Sequence, residues 1–180
     1  MQSRIVLGLV FALALRACPA KRTPGDTENP QNTFWTALSA LCGKSFEGSL
    51  VEGTAPGDAE IGAKPLRMHV ASCSETEIRI PFHVGDDHSR TWVLTRIPGG
   101  LRLKHDHRHA DGTEDEITQY GGDTLWSGTP TLQDFHADDF TKKLLPASAT
   151  NIWSLELVPG ERFSYSLRRE GRRFRVDFAL

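Results

Sequence analysis

The residues of this chain best suited to chemistry are three histidines at alternate positions, in the run Leu101-Arg102-Leu103-Lys104-His105-Asp106-His107-Arg108-His109. On a β-strand, side chains at i and i+2 share one face. His105, His107 and His109 can therefore converge on a transition metal, since imidazole nitrogen suits zinc, copper, iron or nickel. A metal needs a third ligand, from His109 or from a neighbouring strand that carries His69 or His83. The same rings can instead anchor a polar network in a cavity. They can also stand in solvent, if the hairpin runs past the core ahead of the Ala110-Asp111-Gly112 turn. Leu101 and Leu103 share the histidine face and mark it as inward, whereas Arg102, Lys104, Asp106 and Arg108 mark the other as outward. The expectation is that His105 and His107 point inward and His109 reaches the rim. Trp92, on a nearby β-branched and aromatic run, joins His105 and His107 as a candidate ligand-binding residue.

Other patterns carry less. Gly43-Lys44-Ser45 ends like a P-loop, but Leu38 stands where the first glycine is required, and a helix precedes it where a strand should. Asp111, Glu114, Asp115 and Glu116 gather at one turn without EF-hand spacing. Neither G-x-S-x-G nor H-E-x-x-H occurs, so no reaction is fixed, and the residues favour binding over catalysis. The sequence calls for no cofactor, and a transition metal on the histidine strand is the only one its pattern would suit.

The elements that must position these residues read as strands. Phe46, Gly48 and Leu50 alternate with polar neighbours, as do Leu66, Met68 and Val70, then Ile78, Ile80 and Phe82. Residues 92–97 run into a Pro98-Gly99-Gly100 turn before Leu101. Later, Phe163, Tyr165 and Leu167 precede a Glu170-Gly171 turn, and Phe174, Val176 and Phe178 follow it. Period-two alternation of this kind marks half-buried strands joined by tight turns. A short helix is expected at the start, capped by Asn32 or Thr33, with Phe34, Leu38 and Leu41 on its apolar stripe and Gly43 as its stop. A further helical turn is expected over residues 138–145. The predicted class is all-β, an antiparallel up-and-down barrel of about nine or ten strands, because closure hides both sheet edges. A two-sheet sandwich is the alternative.

The start of the chain reads as an export signal. Arg4 opens a short positive region, and residues 5–15 are unbroken apolar sequence, too short for the ~20 residues of a membrane span. Residues 1–20 are thus expected to be a signal peptide, 21–32 a polar, Pro-containing linker, and 33–180 a single domain. Leu15-Arg16-Ala17-Cys18 resembles the lipobox of bacterial lipoproteins, which makes Cys18 a lipidation candidate; Arg16 departs from the pattern, and simple cleavage near Ala17 or Ala20 is the other reading. With Cys18 set aside, Cys42 and Cys73 form an even pair, read as a disulfide in an oxidising compartment. The formal net charge is −2, and losing a leader with Arg4 and Arg16 would make it −4, so no nucleic-acid partner is expected. Membrane attachment would come only through a lipid on Cys18.

Leu41-Cys42-Gly43 at a helix end, followed by Lys44-Ser45-Phe46-Glu47-Gly48, resembles the opening of calycin-type barrels: lipocalins, fatty-acid-binding proteins and nitrobindin-like haem barrels. Phe46 stands where those families usually carry a tryptophan. The chain is also similar to uncharacterised secreted and lipoprotein families of Gram-negative bacteria. The resemblance implies a barrel that takes a small ligand, in the periplasm or tethered to the outer membrane. A structural or interaction lipoprotein of the envelope is the alternative, and a metal-dependent activity on the histidine strand the third.

Overall fold

A computed structural model describes residues 29–180; the expected signal peptide and Cys18 lie outside the described residues. The chain begins with helix α1 (Pro30–Ser39), then β1 (Ser45–Gly53), helix α2 (Asp58–Gly62), β2 (Leu66–His69), β3 (Ser72–Cys73), β4 (Glu77–Val84), β5 (Asp87–Ile97) and β6 (Gly100–His107). The second half comprises β7 (Tyr120–Asp123), β8 (Leu132–Ala137), helix α3 (Asp139–Leu144), β9 (Ile152–Val158), β10 (Arg162–Arg169) and β11 (Arg172–Ala179). Among the described residues no helix is long and apolar enough to cross a membrane.

Every neighbouring pair of strands is antiparallel, and the ring closes by β11 pairing with β1 and β2 with β4. Ten strands make the ring, and the two-residue β3 hangs on β4 as an addition. The pairing is continuous around the molecule, so the two-sheet alternative is set aside for the closed barrel. Closure leaves no long unpaired edge, which is the physical reason a meander of this many amphipathic strands rolls up.

The alternation read from sequence is the alternation of burial. In β4 it is strict, with Ile78, Ile80, Phe82 and Val84 inward, and in β11 Phe174, Val176 and Phe178 turn inward between exposed or half-buried neighbours. Phe135, Trp153, Phe163 and Phe178 fill much of the interior. Gly48 faces the Phe178 ring, whose carbons would lie 2.6 Å from any β-carbon placed there, so the strand pair closes this tightly only with glycine.

Helix α1 starts earlier than the sequence suggests. Asn29, rather than Asn32 or Thr33, caps it, its side chain accepting from the Gln31 amide at 3.0 Å, and Pro30 takes the first helical position. Proline has no N–H to leave unpaired there and holds φ near the helical value. The helix therefore begins inside the stretch expected to be linker. It lies across the end of the barrel where β1 begins and inserts Phe34 and Leu38, both fully buried. Arg96 at the end of β5 stacks over Trp35 at 4.6 Å, and Cys42 is joined to Cys73 in a disulfide that ties this end to β3. At the opposite end α2 lies beside the mouth, and α3, capped by Asp138, falls where the helical turn was expected.

Candidate functional site

Register places the candidate residues. β6 runs toward the mouth, and pairing with β5 sets Trp92 opposite His105 and Arg90 opposite His107. On the other side β7 sets Tyr120 opposite His105. Across the interior Tyr165 comes from β10. Between α1 at the far end and the mouth, a cavity of about 150 Å³ is lined in part by Trp92, His105, His107, Tyr120 and Tyr165. The three ligand-binding candidates from the sequence thus share one cavity.

His105 is 3% exposed and both of its ring nitrogens are engaged. Nδ1 lies 3.1 Å from the Tyr120 carbonyl oxygen, which can only accept, so Nδ1 carries the proton. Nε2 is then the acceptor, and the Tyr165 hydroxyl donates to it at 2.8 Å. Burial pushes the His105 pKa down to about 3, more than the hydrogen bond to Tyr120 raises it, so the ring is neutral at physiological pH. The Tyr165 hydroxyl is pushed well above its ordinary value by burial. Tyr120, stacked on His105 with ring centroids 4.5 Å apart, is pushed up to about 12 for the same reason. The Tyr120 hydroxyl meets His107 Nε2 at 3.2 Å, and burial, aided by the Arg90 charge, lowers the His107 pKa. Trp92 is stacked between Phe82 (4.8 Å) and Tyr165 (4.4 Å).

The arginines that line this cavity are matched. Arg90 is paired with Asp87 at 2.5 Å, and Arg172 holds both carboxylate oxygens of Asp58 at 2.5 and 2.8 Å. The second pair ties α2 to the start of β11 and is largely buried. Gly53 makes this approach feasible, since a β-carbon there would sit 2.6 Å from Asp58 Cβ. The site is an apolar pocket with neutral hydrogen-bonding groups and internally paired ions.

His109 lies past the end of β6 in an exposed turn, apart from His105 and His107. His69 and His83 stand on the outside of the wall: His69 bonds Ser45 and the Lys44 carbonyl, and His83 stacks on His88 at 3.9 Å. Among the described residues no group of three or more His, Cys, Asp or Glu is arranged to hold a metal ion. Asp106 departs from the expected wet face of β6. It is 3% exposed because Arg79 and Arg108 close over it on the outside of the barrel. Tyr120, Tyr165, Asp58 and Arg172 went unrecognised as site residues. Tyr165 reads only as one more apolar position of a strand, and Tyr120 opens a four-residue strand containing two glycines, too short to give a period.

The chain matches no protein-family model, no curated protein and no solved structure. Its closed antiparallel barrel is compatible with the calycin-type architecture that the opening residues resemble.

Proposed function

We propose that this is an exported, calycin-like barrel that binds one small, uncharged, single-ring molecule at its mouth. The observation that carries the reading is the cavity of about 150 Å³ that unites Trp92, His105 and Tyr165. Drug-sized ligands occupy pockets of roughly 300–1,000 Å³, whereas a cavity of about 150 Å³ accepts benzene. Aromatic walls favour a ring, and the hydroxyls of Tyr120 and Tyr165 favour a polar substituent on it. Inside this cavity a neutral His105 and the paired Arg90 and Arg172 offer no spare charge to a charged ligand. Export is supported by the leader-like residues 1–20 and by the disulfide between Cys42 and Cys73.

Phenol is the probe. Titrated into the protein, it is expected to change tryptophan emission saturably, and benzoate, of similar size but charged, is expected to bind at least ~10-fold more weakly. Equal binding of benzoate, or a response that survives Trp92→Leu combined with Tyr165→Phe, sinks the ligand reading. Native mass spectrometry of protein recovered from the cell envelope tests export in the same preparation, because an intact leader on Met1 contradicts it, and a lipid-sized mass on Cys18 selects the anchored form.

The tightly filled interior supports the second reading, a structural or interaction protein of the envelope. It predicts no phenol response at all.

A further inference from the structure

The tip of the β10–β11 hairpin reads Arg168-Arg169-Glu170-Gly171-Arg172-Arg173, four arginines and one acid in a chain whose formal net charge is −2. Two of the four are spoken for: Arg168 is held by Asp134 and Arg172 by Asp58. The other two are not. Arg169 donates from Nη1 to the Asn151 side-chain oxygen at 2.8 Å, and Arg173 donates from Nη1 to the Arg169 and Arg172 carbonyls at 3.1 and 3.3 Å. Among the described residues neither meets a carboxylate, and Glu170 pairs with neither of them. Elsewhere among the described residues, Arg67, Arg79, Arg90, Arg102, Arg108, Arg162 and Arg175 all hold carboxylates, and Arg96 lies over Trp35. Among the described residues Arg96, Arg169 and Arg173 are therefore the arginines without a carboxylate, and of these Arg169 and Arg173 line one groove.

Both line an open groove of about 740 Å³ at the barrel mouth, together with Thr54 and Thr150. Thr54 is committed to the hairpin, exchanging hydrogen bonds with the backbone of Arg173, whereas Thr150 is exposed. We propose that the tip of this hairpin is a binding site for a phosphate-type oxyanion, held between the guanidinium groups of Arg169 and Arg173. A carboxylate is filled by one guanidinium fork, whereas a tetrahedral oxyanion presents enough oxygens to engage two forks from different directions. The groove is wider than a lone phosphate needs, so the group can also arrive attached to a larger molecule. Its two sources are free phosphate and the headgroup of an anionic phospholipid.

The test compares the wild-type protein with the double variant Arg169→Gln/Arg173→Gln. Inorganic phosphate is followed through the Arg Nε–Hε resonances, and lipid by co-sedimentation with phosphatidylglycerol/phosphatidylcholine vesicles against pure phosphatidylcholine. Reading each as the difference between the two proteins cancels any membrane affinity carried by the leader. Phosphate is expected to shift the Arg169 and Arg173 resonances saturably, with the double variant binding ~10-fold or more weakly for each guanidinium lost and the affinity falling as salt rises. A response to phosphate identifies the free anion as sufficient. A difference only with phosphatidylglycerol vesicles identifies the headgroup. Arg169→Lys/Arg173→Lys keeps the charge and is expected to retain part of the binding, and Arg67→Gln, on a side chain engaged with Glu47, is expected to retain all of it. Identical behaviour of wild type and the Gln variant toward both probes, with both proteins folded by circular dichroism, overturns the proposal.

Discussion

His105 is the residue on which the interior chemistry turns, because it is neutral by construction. Its ordinary value of 6.5 falls to about 3 in the folded chain, so the unfolded state binds a proton across that window that the folded state does not. Stability from this group is complete above pH 6.5 and is lost as pH falls toward 3. Between pH 7.5 and 4.5 the loss amounts to roughly 3 kcal/mol. His83 and His107 are also lowered by burial and add in the same direction, so the assay is a difference: urea melts at both pH values for the wild type and for His105→Gln. The variant is expected to lose less of its stability on acidification by about that amount, and an equal loss in both proteins removes His105 from the account. Tyr165→Phe probes the partner. It leaves His105 Nε2 buried without a donor and is expected to cost about 1–3 kcal/mol, measured by the same melts at pH 7.5. The inward turn of His105 and His107 was legible from Leu101 and Leu103 on the same face. Burial of Asp106 was not, because it depends on Arg79 from β4 and Arg108 beyond β6 closing over it, and no pattern within β6 encodes that contact.

At the scale of elements, α2 is the part of the mouth with the weakest local support. It spans only Asp58–Gly62, far too short to be helical alone. What holds it is the Asp58 carboxylate, which takes the Arg172 guanidinium and also accepts from the Ala55 amide at 2.9 Å. Asp58→Asn removes a charge from a largely buried pair and strands Arg172, which is expected to destabilise by about 2–4 kcal/mol. Amide exchange is the sensitive readout: residues 54–64 are expected to exchange much faster in the variant, while β6 and β9 stay protected. Uniform acceleration across the barrel would show instead that the pair supports the whole fold. The other end is held covalently. Joining Cys42 to Cys73 closes a loop with a sequence separation of 31, worth about 3–4 kcal/mol by chain entropy. Reduction is expected to lower stability by that amount without changing tryptophan emission from the cavity. The strands other than β3, β7 and β8 were legible because each carries its own period of two. The start of α1 and the existence of β7 were less so. The first depends on a proline read as linker, and the second on Thr141 of α3 both accepting from and donating to Gly121, at 2.7 Å each.

For the molecule as a whole, closure is the feature that alternation along single strands implies only indirectly. Amphipathic hairpins in series must hide two edges, which argues for a barrel, but the strand count settles on ten only because β2, paired with β1 on one side, also pairs with β4 on the other and reduces β3 to an appendage. The seam between β1 and β11 joins the two ends of the described chain, so it forms at a high cost in loop closure and makes stability of the ring a shared property. Gly48 sits at that seam against Phe178. Gly48→Val drives a branched side chain into a ring that Phe82, Trp92 and Phe163 already surround, and overpacking of this kind is expected to cost about 1–3 kcal/mol. A closed barrel has no free edge at which to yield locally, so the loss is expected to appear equally everywhere. Denaturation followed by tryptophan emission, dominated by the buried Trp35, Trp92 and Trp153, and by far-ultraviolet circular dichroism, which reports on all strands, should coincide in the wild type. Both should shift to lower denaturant by the same amount in Gly48→Val. If the two curves separate in the variant, with the tryptophan signal unmoved, the seam opens on its own and the ring does not fold as one unit.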